Sequence, residues 1–79
     1  MKVTVLYFAS LRDAAGCESE QVETAATGLR ELYAALRARH GFAFPAERLR
    51  VAVDAAFVGW DAPLRDGAEI AFIPPVSGG

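Results

Sequence analysis

The sequence predicts a single α+β domain in which one helix covers one face of a small sheet. Three observations lead to this prediction. The 79 residues leave room for only one domain. Five short segments are predicted to be strands, whereas only one long segment has apolar residues at helical spacing. Apolar residues make up 53% of the chain and charged residues 23%, which is typical of a folded globular protein.

The first predicted strand covers residues 2–8 (KVTVLYF), which are rich in β-branched and aromatic side chains. Alternation places both valines and Tyr7 on one face. Leu6 and Phe8 lie on the opposite, otherwise polar face. This second face is therefore only half polar.

Residues 9–18 connect the first strand to a second, more polar strand at residues 20–23. We expect one short helical turn near residues 11–14, ending at Gly16. Because the connection is short, the two strands are predicted to form an antiparallel pair.

The main helix is the clearest element in the sequence. Thr27 is the predicted N-cap, and Gly41 is the predicted residue after the last helical turn. Arg37 and Arg39 lie in that last turn, where cations suit the negative end of the helix dipole. The apolar stripe recurs at i, i+3, i+4, i+7 and i+11, at Leu29, Leu32, Tyr33, Leu36 and His40.

The remainder of the chain is predicted to contain a loop at residues 42–47, where Pro45 excludes a strand interior, and turns within residues 61–67. A tight turn near Asp54 separates two of the last strands, and Pro74 ends the final one because it lacks a backbone N–H. These three strands are predicted at residues 50–54, 56–59 and 69–73.

One helix cannot cover both faces of a sheet. The uncovered face is expected to carry Leu6, Phe8, Ala71 and Ile73, so it is exposed but apolar. Such a patch marks an interaction surface more often than scattered apolar exposure, which is the alternative. We therefore predict a docking surface for a partner protein.

Composition excludes several classes of function. The net charge of −2 shows no basic excess, which argues against nucleic acid as a partner. No run approaches the ~20 apolar residues that a membrane span needs, so no membrane association and a cytoplasmic location are expected. With Cys17 as the single cysteine, no disulfide within the chain and no metal site are expected.

The sequence contains no recognisable catalytic constellation. His40 lies on the apolar stripe and is expected to pack or cap rather than catalyse, and Cys17 has acidic neighbours that do not favour a reactive thiol. No phosphate-binding loop is present and Lys2 is the only lysine, so we expect no cofactor, ATP included, on this chain. Alone, it is not expected to be an enzyme.

The most unusual feature is the final segment, Pro-Pro-Val-Ser-Gly-Gly. We divide the chain into a domain at residues 1–73 and a flexible tail at residues 74–79. Two prolines favour a stiff, extended segment that projects the last residues away from the sheet. Gly78 and Gly79 have no side chains, so they could pass through a narrow channel. A free carboxylate is a poor electrophile, so chemistry on Gly79 would require activation by another enzyme.

Three stretches carry a resemblance to a known family: KVTVLYFASLRDAAG, VAVDAAFV and PLRDGAEIAFIPPVSGG. Together they make the whole chain resemble the ubiquitin-like β-grasp sulfur carriers, especially the small subunits of molybdopterin synthase. The third stretch is the most specific, because a strand followed by PPVSGG is typical of that group. The resemblance implies a β-grasp fold, with a mixed five-stranded sheet packed on one main helix.

The resemblance also implies a mechanism. An E1-like adenylating enzyme uses Mg-ATP to activate the Gly79 carboxylate, and a sulfur donor protein converts it to a thiocarboxylate. The tail then enters the large subunit of the synthase and gives sulfur to cyclic pyranopterin monophosphate. By the same resemblance, Val76, Ser77 and Gly78 thread the channel. The implied partner-binding residues are Leu6, Phe8, Ile73, Pro74 and Pro75.

One residue departs from the family pattern, since Asp54 stands where Asn is usual. Both residues suit a tight turn, although hydrogen bonds donated by an amide would be lost. Three alternatives remain open. They are a sulfur carrier for thiamine or cysteine biosynthesis, a ubiquitin-like protein modifier, and an interaction module whose tail has no function. A single lysine makes self-conjugation into chains unfavourable but leaves conjugation to other proteins open.

Overall fold

Five strands form one mixed sheet in the order β2-β1-β5-β3-β4 in the computed structural model, which describes residues 1–75. The strands β1 and β5 run parallel, and the other neighbouring pairs are antiparallel. This arrangement confirms the predicted α+β fold with a mixed five-stranded sheet. The elements are β1 (Lys2–Tyr7), α1 (Ala9–Ala15), β2 (Ser19–Glu23), α2 (Leu29–His40), a 3₁₀ turn (Ala46–Arg48), β3 (Arg50–Val53), β4 (Ala56–Val58) and β5 (Glu69–Ile73).

The main helix α2 packs its predicted stripe against the sheet, and its four leading apolar residues are buried. Its N-terminus differs from the prediction, because Gly28 rather than Thr27 is the N-cap. The Thr27 hydroxyl instead donates a hydrogen bond to the Glu31 carboxylate at 2.9 Å, so it does not satisfy a backbone N–H. Gly41 ends the helix as predicted, with a left-handed φ of 75° and its N–H bonded to the Arg37 carbonyl.

The segment after β1 is more helical than the sequence predicted. The expected single turn is the seven-residue helix α1, which buries Leu11 and ends at the left-handed Gly16. A second departure is the 3₁₀ turn at Ala46–Arg48, inside a stretch where only a loop was predicted to precede the strand. Pro45 lies at its N-terminal end, where a missing N–H costs nothing.

The turn between β3 and β4 consists of Asp54 and Ala55, both with positive φ (50° and 71°), as a type I′ hairpin turn requires. The Asp54 carboxylate accepts a hydrogen bond from the backbone N–H of Glu69 at 3.0 Å. The side chain at position 54 acts here as a hydrogen-bond acceptor, and either Asp or Asn has a side-chain oxygen that can accept this bond. The departure from the family pattern therefore preserves this contact between the turn and β5.

The core lies between the sheet and α2. It includes both valines and Tyr7 of β1, as alternation predicted, and the Phe72 side chain of β5. Trp60 stacks on Phe72 at a centroid distance of 5.8 Å, and the ring of Tyr33 in α2 packs against Phe72 at a centroid distance of 5.1 Å. Within residues 1–75, no helix is long and apolar enough to span a bilayer.

Candidate functional site

The sheet face away from α2 carries a continuous apolar row. The register pairs Leu6 of β1 with Ala71 of β5, Ala71 with Ala52 of β3, and Ala52 with Phe57 of β4. Residues directly opposite each other on neighbouring strands point to the same face. The row therefore crosses four strands on one side, and we call the surface around it the open face.

The side chains of the open face are large and aromatic at its edges and short in its middle. Phe57 is 64% exposed and Phe8 is 45% exposed, which is unusual for aromatic rings on a small domain. Ala71 and Ala52 are almost fully covered by their neighbours. Two short side chains therefore lie between larger ones along this row.

A second row lies beside the first, at the end of the sheet where β5 finishes. Ile73 of β5 pairs with Arg50 of β3, and each lies two residues along its strand from the alanine that the strand contributes to the first row. The Arg50 guanidinium lies over the Phe57 ring, 5.2 Å from its centroid. The end of the open face therefore combines an apolar side chain with a cation.

Phe8 reaches this surface because the chain turns sharply after β1. Phe8 itself is extended, and Ala9 has a left-handed φ of 49°. The Phe8 carbonyl accepts hydrogen bonds from the N–H groups of Leu11 and Arg12, at 3.1 and 3.4 Å. These bonds begin α1 and hold the Phe8 backbone at the end of the strand, with its ring exposed.

The predicted docking residues are not equally available. Leu6 and Ile73 are half-buried, while Phe8 and Pro75 are exposed. Pro74 is buried against the domain and offers little surface to a partner. The predicted carrier residue and the threading residues, at 76–79, lie outside the described residues.

Three residues of the open face were missed by the sequence reasoning, namely Ala52, Phe57 and Arg50. The signal was present, because a two-residue turn at 54–55 pairs Val53 with Ala56 and therefore Ala52 with Phe57. Alternation then places Phe57 on the face opposite Ala56 and Val58. Two-fold alternation had been applied to β1 but not carried across this hairpin.

A cluster of polar side chains joins three elements on the helix side of the sheet. Glu20 of β2 accepts hydrogen bonds from the Tyr7 hydroxyl at 2.7 Å and from the His40 ring at 2.8 Å. Arg39 lies 3.6 Å from its other oxygen. We call Tyr7, Glu20 and His40 the Glu20 cluster.

The electrostatics of the Glu20 cluster indicate a structural role. Burial raises the pKa of Glu20, but the hydrogen bonds from Tyr7 and His40 and the charges of His40 and Arg39 outweigh it, so the pKa is lowered overall. Burial, followed by the hydrogen bond to Glu20 and the charge of Glu20, raises the pKa of Tyr7. The charged form of Glu20 and the neutral form of Tyr7 are therefore both favoured, and these are the forms that their hydrogen bond needs. His40 packs as the sequence predicted.

No set of His, Cys, Asp and Glu side chains among residues 1–75 is arranged to hold a metal ion. Cys17 is half-buried and packs against the core. In the described part of the chain, the open face is the most distinctive surface, because it combines exposed aromatic rings with short apolar side chains.

Comparison with known proteins gives consistent similarities over the whole chain. A sequence model of the ThiS family matches residues 5–79. A curated protein from Escherichia coli, the molybdopterin synthase sulfur carrier subunit, is 38% identical over 80 residues, covering 98% of this chain and 99% of that protein.

Two solved structures are similar in both sequence and fold. A putative molybdopterin converting factor, subunit 1, from Pyrococcus furiosus has a TM-score of 0.77 and 30% identity, covering 96% of this chain and 99% of that one. The second is from a protein–protein complex of subunits 1 and 2 of the molybdopterin-converting factor from Helicobacter pylori. It has a TM-score of 0.69 and 29% identity, with full coverage of both chains.

Proposed function

Because this chain belongs to the ThiS family, we propose that it is the sulfur carrier subunit of a molybdopterin synthase. The single observation that carries the proposal is the similarity over nearly the full length to a curated subunit of that name. The open face supports it, since a carrier must bind other proteins to be loaded and unloaded. The exposed rings of Phe8 and Phe57 offer apolar area for such binding.

We propose that Gly79, the last residue of the sequence, carries the sulfur. An E1-like enzyme with Mg-ATP joins the carboxylate to AMP and releases pyrophosphate. Hydrosulfide delivered by a donor protein then attacks the carbonyl carbon and displaces AMP, which leaves a thiocarboxylate. In the large subunit the sulfur passes to cyclic pyranopterin monophosphate, and water supplies the oxygen that returns Gly79 to a carboxylate. Because activation consumes ATP, we place this cycle in the cytoplasm.

The position of β5 relates the open face to the proposed chemistry. Ile73 lies on the open face at the end of β5, and Pro75 follows it at the surface. Four further residues can span at most about 14 Å. A partner docked on the open face would therefore lie within reach of the proposed carrier residue.

Intact-mass measurement tests the carrier role directly. The full chain is incubated with its activating enzyme, Mg-ATP and a sulfur source. We expect a mass increase equal to replacement of one oxygen by sulfur, and loss of that increase after incubation with the large subunit and cyclic pyranopterin monophosphate. Adducts linked only through lysine would instead establish a protein modifier. Loading without transfer to this acceptor would favour a carrier for thiamine or cysteine biosynthesis.

The docking role of the open face is tested by Phe57→Ser. Since the ring is 64% exposed, its loss should leave folding intact while it removes an aromatic contact from the interface. We expect binding to the large subunit to weaken at least tenfold. Ala35→Ser, on the exposed side of α2, is the matched control and should bind normally. Equal binding by both variants would exclude the open face as the docking surface.

A further inference from the structure

Arg50 is a charged residue in an otherwise apolar part of the open face. Its cross-strand partner is Ile73, and Ala52 and Phe57 are its other neighbours on that face. The side chain is exposed, and its guanidinium lies over the Phe57 ring. Any protein that covers Phe57 must therefore also cover this charge.

Within residues 1–75, Arg50 differs from most of the other arginines because no carboxylate lies within 4.0 Å of it. Arg37 donates hydrogen bonds to two backbone carbonyls, and four arginines pair with acidic side chains. These pairs are Arg12–Glu18, Arg30–Asp61, Arg39–Glu20 and Arg65–Asp54. The contact described for Arg50 is with an aromatic ring, which positions the guanidinium while leaving its N–H groups available for another acceptor.

Covering such a charge without a counter-charge would be unfavourable. A guanidinium that loses its water needs hydrogen-bond acceptors, and burial of an unpaired charge strongly opposes association. A carboxylate suits it best, because the planar guanidinium can bind both carboxylate oxygens at once. These requirements define the chemistry of a partner that fits this surface.

We propose that the large subunit of the synthase presents an Asp or Glu side chain, bordered by apolar residues, against Arg50. This inference rests on the proposed function and adds the chemistry of the partner's contact surface. The same contact sets the docking orientation. Glu69 lies on the same face of β5 as Ile73 but at the opposite end, about 13 Å away at strand spacing. Arg50 and Glu69 therefore place opposite charges at the two ends of β5 on the open face, which favours one docking direction over the reverse for a partner of complementary charge.

Calorimetric titration of the full chain with the large subunit at low and moderate salt tests the proposal. Arg50→Met keeps the length and apolar character of the side chain and removes its charge. We expect Kd to rise about 10- to 100-fold, and the weakening of binding by salt to diminish. Arg50→Lys should restore part of the affinity and the salt dependence. Arg48→Met is the matched control, because Arg48 is also exposed and lies over an aromatic ring, that of Phe44 at 6.0 Å.

The outcomes separate this proposal from the proposed function. If Phe57→Ser weakens binding but Arg50→Met stays within twofold of wild type or binds more tightly, the partner places no carboxylate there and the inference is wrong, while the carrier role stands. If the wild-type chain does not bind the large subunit, both fail. Equal losses for Arg48→Met and Arg50→Met would show a general charge effect and would also overturn the inference. Thermal unfolding of each variant checks that its fold is retained.

Discussion

Replacing Glu20 by Gln should destabilise the domain by an amount that depends on pH. The carboxylate accepts hydrogen bonds from Tyr7 and His40, and its side chain is only 17% exposed. Hydrogen bonds to a charged group contribute about 1.5–3 kcal/mol, against about 0.5–1.5 kcal/mol for neutral ones. With two such bonds weakened, Glu20→Gln should cost about 2 kcal/mol at pH 7.

The pH dependence follows from the lowered pKa of Glu20. A carboxyl group whose pKa is lower in the folded than in the unfolded chain adds stability above the unfolded value, and that stability is lost as pH falls through the folded value. The ordinary pKa is 4.5, so the advantage of wild type over Glu20→Gln should be complete above that pH and shrink as pH falls below it. Once protonated, the carboxyl group resembles the amide of Gln.

Urea unfolding at several pH values measures this difference, with fluorescence of Trp60, the single tryptophan, as the probe. For a chain of this size the free energy of unfolding falls by about 1 kcal/mol per molar urea. The urea concentration at the unfolding midpoint should therefore be about 2 M lower for Glu20→Gln than for wild type at pH 7. A total stability of about 4–12 kcal/mol leaves the variant folded. Glu18→Gln is the control, since Glu18 is 84% exposed and lies 4.0 Å from Arg12. A midpoint difference that is absent at pH 7, or unchanged down to pH 3, would refute this account of the Glu20 cluster.

Three further predictions concern the turn, the loop and the tail. Ala55→Gly should raise the free energy of unfolding by about 0.5–1 kcal/mol, because the left-handed strain that it relieves exceeds the entropic cost of ordering a glycine. Ala43→Gly is the control and should not raise it; equal thermal midpoints for the two variants would contradict this prediction. Tyr33→Phe should cost about 1 kcal/mol in urea unfolding, because the Tyr33 hydroxyl donates a 2.6 Å hydrogen bond to the Phe44 carbonyl; an unchanged midpoint would show that this bond adds nothing. Deleting Gly79 should abolish sulfur loading by mass measurement and leave the thermal midpoint unchanged, since the buried core lies within residues 3–72; a lower midpoint would contradict this.

Much of the fold followed from local patterns. In α2 the spacing of Leu29 through Leu36 identified the buried stripe, and Gly41 marked the end of the helix. In β1 the alternation assigned Tyr7 to the core and Phe8 to the open face. These predictions succeeded because each depends on the geometry of one element, which the sequence determines locally.

The features that the sequence did not predict depend on residues that are distant in the chain. The Glu20 cluster requires β2 to lie beside the end of α2, and no local pattern pairs Glu20 with His40. The misassigned N-cap is the exception, because the competing acceptor of Thr27 is Glu31, only four residues away, and N-cap preference alone does not include it. Arg50 was predicted to lie in a strand, but its place beside Phe57 depends on how three strands are aligned.

The central position of β5 has a mechanical consequence. This strand pairs with β1 at four positions and with β3 at another four, so it is held on both sides. A pull on the residues after Ile73 acts along the strand, and it loads the hydrogen bonds of both ladders together instead of opening them one by one. A domain attached at an edge strand would peel apart under the same tension. If a partner held the residues after β5, a force that pulled the domain away from it would therefore leave the sheet intact.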